Sequence, residues 1–163
     1  MGTELCRNRV NEDSALDKVM RLVIAIALLL ASLSAAAGEA PTRFMERYVG
    51  YFNAEDLDQY QATFEFPVVR FTGGVLEVLS DPSAPMANFE NIKKTGWATS
   101  RIDSITVLSE SSAAALVEFS FSRLDRSGTA FFNSTGHYGL VNTADGWKIQ
   151  SMFFVNPITV GTE

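Results

Sequence analysis

The sequence predicts an α+β domain, with helices gathered at the front of the fold and long strands behind them. Three observations predict it. Apolar residues between 44 and 52 recur with a helical period. Those after Trp97 alternate with a period of two, and Gly-, Asp- and Ser-containing turns divide that second region into long antiparallel strands.

Phe44, Met45, Tyr48, Val49 and Phe52 keep the i, i+3/i+4, i+7/i+8 spacing of a helix with one buried stripe. Asn53 and Ala54 break it. Asp56 can then accept from the first-turn amides of a second, short helix, with Gln59 three residues on as a capping-box partner, and that helix ends near Phe64. Pro67 is tolerated only at the start or edge of a strand, and the apolar run Val68, Val69, Phe71 stops at Thr72-Gly73-Gly74. Val75 to Leu79 returns as the second arm of a hairpin. Asp81-Pro82 breaks that arm, and Met86, Phe89, Ile92 and Lys93 have the spacing of a third helix, closed by Gly96.

The strand region starts with Ile102, Ile105, Val107 and Leu108, and turns at residues 109–112. In the next strand Ala113, Ala115, Val117, Phe119 and Phe121 share one face, with Leu116, Glu118, Ser120 and Ser122 on the other. Residues 125–128 turn the chain, a strand runs from Thr129 to about Val141, residues 144–146 turn it again, and Trp147 to Val155 completes the sheet. No repeat or linker interrupts residues 38–163, which read as a single domain.

The front of the chain reads differently. Residues 22–33 are continuously apolar, come after Lys18 and Arg21, and precede Ser34-Ala35-Ala36-Ala37. This is the order of a secretory signal peptide, with a cut expected after Ala37 and an uncleaved N-terminal membrane anchor as the alternative. Residues 1–37 are thus an N-terminal extension plus signal peptide. Met20 makes a better start than Met1, so the first nineteen residues are either a gene-start error or a disordered extension. The expected location is secreted or periplasmic.

Beyond Ala37 nine Lys and Arg face fifteen Asp and Glu, a net charge of −6. An acidic surface without a basic cluster argues against nucleic acid and, after signal cleavage, against a membrane partner. The only cysteine, Cys6, lies in the extension, which excludes disulfides and thiol catalysis from the processed chain. With one histidine and no cysteine left, no metal and no other cofactor are expected.

Two helices, a hairpin, a third helix and a bent sheet match the order of the cone-shaped fold of nuclear transport factor two, the SnoaL-like cyclases and ketosteroid isomerase. Arg47-Tyr48-Val49 with residues 53–58 resembles the opening helix pair of that superfamily, and Asp145-Gly146-Trp147-Lys148-Ile149 resembles its closing turn and strand. The resemblance implies a cone-shaped α+β barrel with three N-terminal helices packed on a strongly bent, mainly antiparallel sheet. It places Tyr48 at the isomerase's oxyanion-donating tyrosine, Thr72 at the position of its proton-abstracting aspartate and Gly136 at that of its second acid. Threonine cannot serve as that base at neutral pH, and glycine has no acid, so steroid isomerisation is not expected.

If Thr72 faces the pocket, alternation brings Arg70 and Val68 to the same face. There a guanidinium would prefer an anion, ideally a carboxylate held bidentately, or would pair with Glu65 or Glu118 or point to solvent. Tyr48, Tyr60 and Tyr138 can each bring a hydroxyl to the cavity, and Glu118 and Asp103 are possible acids. Alternation from Gly136 turns His137 away from the pocket. The candidate pocket therefore comprises Arg70, Tyr48, Thr72, Tyr138 and Glu118, and the sheet's second apolar face suggests a homodimer. The expected function is binding of a small, acidic organic molecule as small-molecule ligand in an apolar pocket. The alternatives are a lyase, isomerase or hydrolase of the same fold, or a non-catalytic dimerisation module.

Overall fold

The structure, a computed structural model, describes Met20 and residues 39–158. The apolar run 22–33, the cut after Ala37 and Cys6 lie outside the described residues. Over residues 39–158 three helices and six strands succeed one another as α1 (Pro41–Asn53), α2 (Leu57–Gln61), β1 (Phe64–Thr72), β2 (Val75–Leu79), α3 (Phe89–Lys94), β3 (Thr99–Glu110), β4 (Ala114–Leu124), β5 (Ala130–Thr143) and β6 (Gly146–Phe154).

The helices start where the chain supplies a reason. Pro41 occupies the first turn of α1, where its missing N–H is no loss. Asp56 caps α2 by accepting from the Gln59 amide at 3.1 Å, and Asn88 caps α3 through Asn91 at 3.1 Å. α2 is shorter than the sequence suggests because β1 begins at Phe64 and carries Pro67 within it. Pro67 is exposed, beside a register shift between Phe64 and Val69, which is where a residue without an amide proton fits a strand. α3 starts three residues later than expected, since Met86 and Ala87 are buried as part of the preceding loop.

All six strands form one open sheet in the order β2-β1-β6-β5-β4-β3. Every neighbouring pair is antiparallel except β1 with β6, which is parallel. The expected mainly antiparallel sheet under three helices is thus observed. Its inner face carries Val68, Val117, Phe119, Tyr138, Leu140, Ile149, Met152 and Phe154, all buried, and α1 lays its stripe of Phe44, Met45, Tyr48, Val49 and Phe52 on them. Burial of each such side chain contributes about 1.5–3 kcal/mol. Polar pins fix both ends of α1. Trp147 Nε1 donates to the Glu39 carbonyl at 2.7 Å, and Asn53 exchanges two hydrogen bonds with the backbone of Ser100, at 2.7 and 2.8 Å.

One close approach shapes the interior. Gly136 lies opposite Phe119 on the inner face, and a Cβ there would run into the ring of Phe154. Phe154 is fully buried and cannot swing away cheaply. Gly136→Ala is therefore expected to destabilise the fold by about 1–3 kcal/mol, read as a lowered denaturation midpoint, whereas Gly50→Ala, with open space around it, is not.

Candidate functional site

The covering helices and the inner face of the sheet enclose a cavity of about 40 Å³. α1 delivers Tyr48 because it is one turn beyond Phe44 on the buried stripe. α2 delivers Tyr60, β5 delivers Tyr138, and β4 delivers Phe119, Phe121 and Arg123 at every second residue. Ile158, just beyond β6, also lines it.

The polar side chains lining this cavity are three phenols, a guanidinium and the Ser100 hydroxyl, which accepts from Trp97 Nε1 at 3.0 Å. The Tyr48 and Tyr60 hydroxyls are 3.0 Å apart, with rings stacked at 5.1 Å between centroids, and the Tyr138 ring stands edge-on to Tyr48 at 5.9 Å. All three rings are buried. Burial pushes the Tyr48 phenol above its ordinary value, opposed by hydrogen bonding to Tyr60 and Tyr138. Tyr60 and Tyr138 are held well above theirs, again chiefly by burial and then by the neighbouring Tyr48. At neutral pH the cluster is therefore a set of protonated donors.

Arg123 is 5% exposed, with its guanidinium 6.0 Å from the Phe121 ring centre and 5.5 Å from that of Phe132. Burial lowers its pKa, and the nearby phenolic oxygens oppose that shift. Aromatic faces and phenol dipoles are the surroundings in which a buried cation is tolerated. Among the described lining residues there is no carboxylate and no histidine.

The five residues expected to share a pocket are divided by the structure. Tyr48 and Tyr138 line the cavity together. Thr72 is outside its lining, and its Oγ1 accepts from the amide of the lining residue Ile158 at 3.1 Å. Arg70 is on the inner side of the hairpin, 9% exposed, but its Nε donates to Glu77 Oε2 at 2.7 Å and it lines a different pocket. Its partner is neither Glu65 nor Glu118, because hairpin pairing puts Glu77 directly opposite. Glu118 is a correction: strand alternation places it on the outer face, 3.5 Å from His137 and away from the cavity. Asp103 is taken up by Ser122 and Arg101, at 2.5 and 2.9 Å. Arg123 is the residue the sequence reading missed. It is the next step of the alternation 115, 117, 119, 121, and a cation at that step was the available signal.

The family model described as NTF2-like protein (DUF6841) matches residues 38–157. The chain belongs to the NTF2-like family. No curated protein matches the sequence. Among solved structures this NTF2-like chain is similar to Aln2 from a Streptomyces species, at 16% identity and a TM-score of 0.56, over 74% of this chain and 94% of that one. It is also similar to an NTF2-like protein with a cystatin-like fold from Novosphingobium aromaticivorans, at 13% identity and a TM-score of 0.53, over 83% and 87%. A third similar structure is a Catenulispora acidiphila protein in complex with S-DNPA, at 16% identity and a TM-score of 0.52, over 76% and 92%. At these identities the likeness is one of fold.

The tyrosine cluster has a pH signature. Because burial raises the three phenol pKa values in the folded state, the stability they contribute is complete below the ordinary tyrosine value of 10.0 and is lost as pH climbs beyond it, where unfolding releases protons. An alkaline titration of the full-length protein monitored by tyrosinate absorbance and circular dichroism should show these phenols ionising only together with unfolding. Reversible ionisation of all four tyrosines in the folded state would contradict the burial described.

Proposed function

We propose that the NTF2-like domain binds a small organic anion inside its cone, with the charged end of the ligand at Arg123 and the Tyr48-Tyr60-Tyr138 cluster. The observation that carries this reading is the composition of the cavity: hydrogen-bond donors and one cation on apolar walls, with no carboxylate or histidine among its described lining residues. A carboxylate, enolate or phenolate oxygen is stabilised by such a set, and a cation is repelled by it. The same composition favours binding over acid–base chemistry, since a general base must titrate near the working pH. In its present form the cavity has room for only a few water molecules, so a ligand enters when Ile158 gives way. That one similar structure, the Catenulispora acidiphila protein, is a complex with S-DNPA supports the fold's capacity for a ligand.

A second reading is an enzyme of lyase, isomerase or hydrolase type. What favours it is the hydrogen-bonded phenol cluster, which can stabilise a developing oxyanion. The proton would then have to be taken by the substrate or by water. We also propose that the chain is secreted or periplasmic through its apolar segment 22–33, and that two copies associate through the outer face, where Leu76, Leu116 and Phe153 are 62%, 41% and 42% exposed.

Native mass spectrometry of the full-length protein from its producing cells tests the binding. A small acidic adduct is expected on the parent, lost in Arg123→Gln and more abundant in Ile158→Ala. An adduct indifferent to Arg123→Gln would overturn the site, and a dimer with no adduct would favour the dimerisation module. Secretion is tested separately by sequencing the N-terminus of the exported protein, which is expected to begin at Gly38. A cell-bound protein that retains residues 22–33 would instead be anchored.

A further inference from the structure

A separate pocket lies between the β1–β2 hairpin and the loop that leads to α3. It has a volume of about 390 Å³, within the range of small-molecule sites and far larger than the interior cavity. Phe66, Leu79 and Met86 form its apolar lining, and Arg70, Glu77 and Asp81 are its charged groups.

Arg70 is presented to this pocket in a fixed pose. The bond from Nε to Glu77 Oε2 sets the plane of the guanidinium, while its two terminal nitrogens make no hydrogen bond among the described residues, although the residue is nine-tenths buried. Glu77 likewise has one oxygen, Oε1, with no hydrogen bond among the described residues. The opposite wall is tied down by a single side chain. Gln61 Nε2 donates to the carbonyls of Pro82 and Ala84, both at 3.0 Å, and Gln61 Oε1 accepts from the Met86 amide at 2.9 Å. Asp81 tightens the same loop by accepting from the Ser83 amide and hydroxyl, at 2.9 and 2.6 Å. The pocket is therefore preformed, with its wall held by hydrogen bonds from the Gln61 and Asp81 side chains.

Charge decides the ligand class. One guanidinium and two carboxylates border the space, so a simple acid would add a third negative charge and a simple amine would meet the guanidinium. A zwitterion satisfies both signs, with its carboxylate across the terminal nitrogens of Arg70 and its ammonium on Glu77 Oε1. Since Arg70 and Glu77 are in contact, the two charged groups of the ligand must also be adjacent, as they are when one carbon carries both. We propose that this pocket binds a free α-amino acid with an apolar side chain, its α-carboxylate on Arg70, its α-ammonium on Glu77 and its side chain against Phe66, Leu79 and Met86. This site stands whether or not the interior cavity binds an anion.

The test tracks the Met86 methyl resonance of the full-length protein, labelled with carbon-13 at methionine methyls, during titration with L-leucine, with isocaproate, which lacks the ammonium, and with isoamylamine, which lacks the carboxylate. Leucine is expected to shift the resonance saturably, with each analogue at least about tenfold weaker, because each loses one charge-assisted pair. Glu77→Gln should bring leucine and isocaproate to equal affinity, and Arg70→Gln should abolish the leucine shift. Arg70 is buried and its replacement can harm folding, so Ala84→Trp, at an exposed position of the pocket wall, provides the independent variant and should remove the response with circular dichroism unchanged. A parent protein indifferent to leucine, isocaproate binding as tightly as leucine, or a response that survives Ala84→Trp would each overturn the proposal.

Discussion

The structure depends on a single apolar stripe of α1 serving two purposes. Phe44, Met45, Val49 and Phe52 are the core contacts that hold the helix on the sheet, and Tyr48 sits in the middle of the same stripe. A phenol in that place cannot reach water, so its hydroxyl must be satisfied from within. The Tyr60 hydroxyl meets that need at 3.0 Å, and Tyr138 closes the group from β5. A requirement of packing thereby assembles a polar cluster from two helices and a strand that are distant in sequence.

Arg123 is subject to the same constraint on buried groups. A cation with 5% exposure is desolvated, and the ring faces at Phe121 and Phe132 and the oxygen dipoles of the phenols help to offset that loss. The phenols stay protonated at neutral pH, and Arg123 is the one cation among the described lining residues of the cavity.

The pattern of apolar residues made most of this fold legible. The period of α1, the cap at Asp56, the hairpin turn and the alternation along β4 all arise from local chemistry, and each is observed. The misplaced boundary between α2 and β1 came from Pro67, which the chain accommodates inside β1 at an irregular stretch instead of at its start. The site was less legible because its parts meet only in the folded sheet. Even so, two signals were present. The two-residue turn at Gly73-Gly74 pairs Thr72 with Val75 and hence Arg70 with Glu77, which names the partner of Arg70. The alternation that placed Phe119 and Phe121 inside also carried Arg123 inside. What no pattern supplied is the distance from Tyr48 to Tyr60, which depends on how sharply the chain turns between α1 and α2.

Gly136 and Phe154 compete for one volume. An acid at that position would need the volume that the ring of Phe154 fills, and Phe154 is itself fully buried against Phe121 and Tyr138. Restoring the acid would require removing the aromatic, and removing the aromatic would open the core between β5 and β6. The same holds at Thr72, whose hydroxyl is engaged by the Ile158 amide and forms part of the closure. Two positions that the superfamily resemblance marks as acidic are thus integrated into packing and closure, a state that a single substitution does not reverse. At both positions the space an acid would need is occupied by packing or closure within this interior.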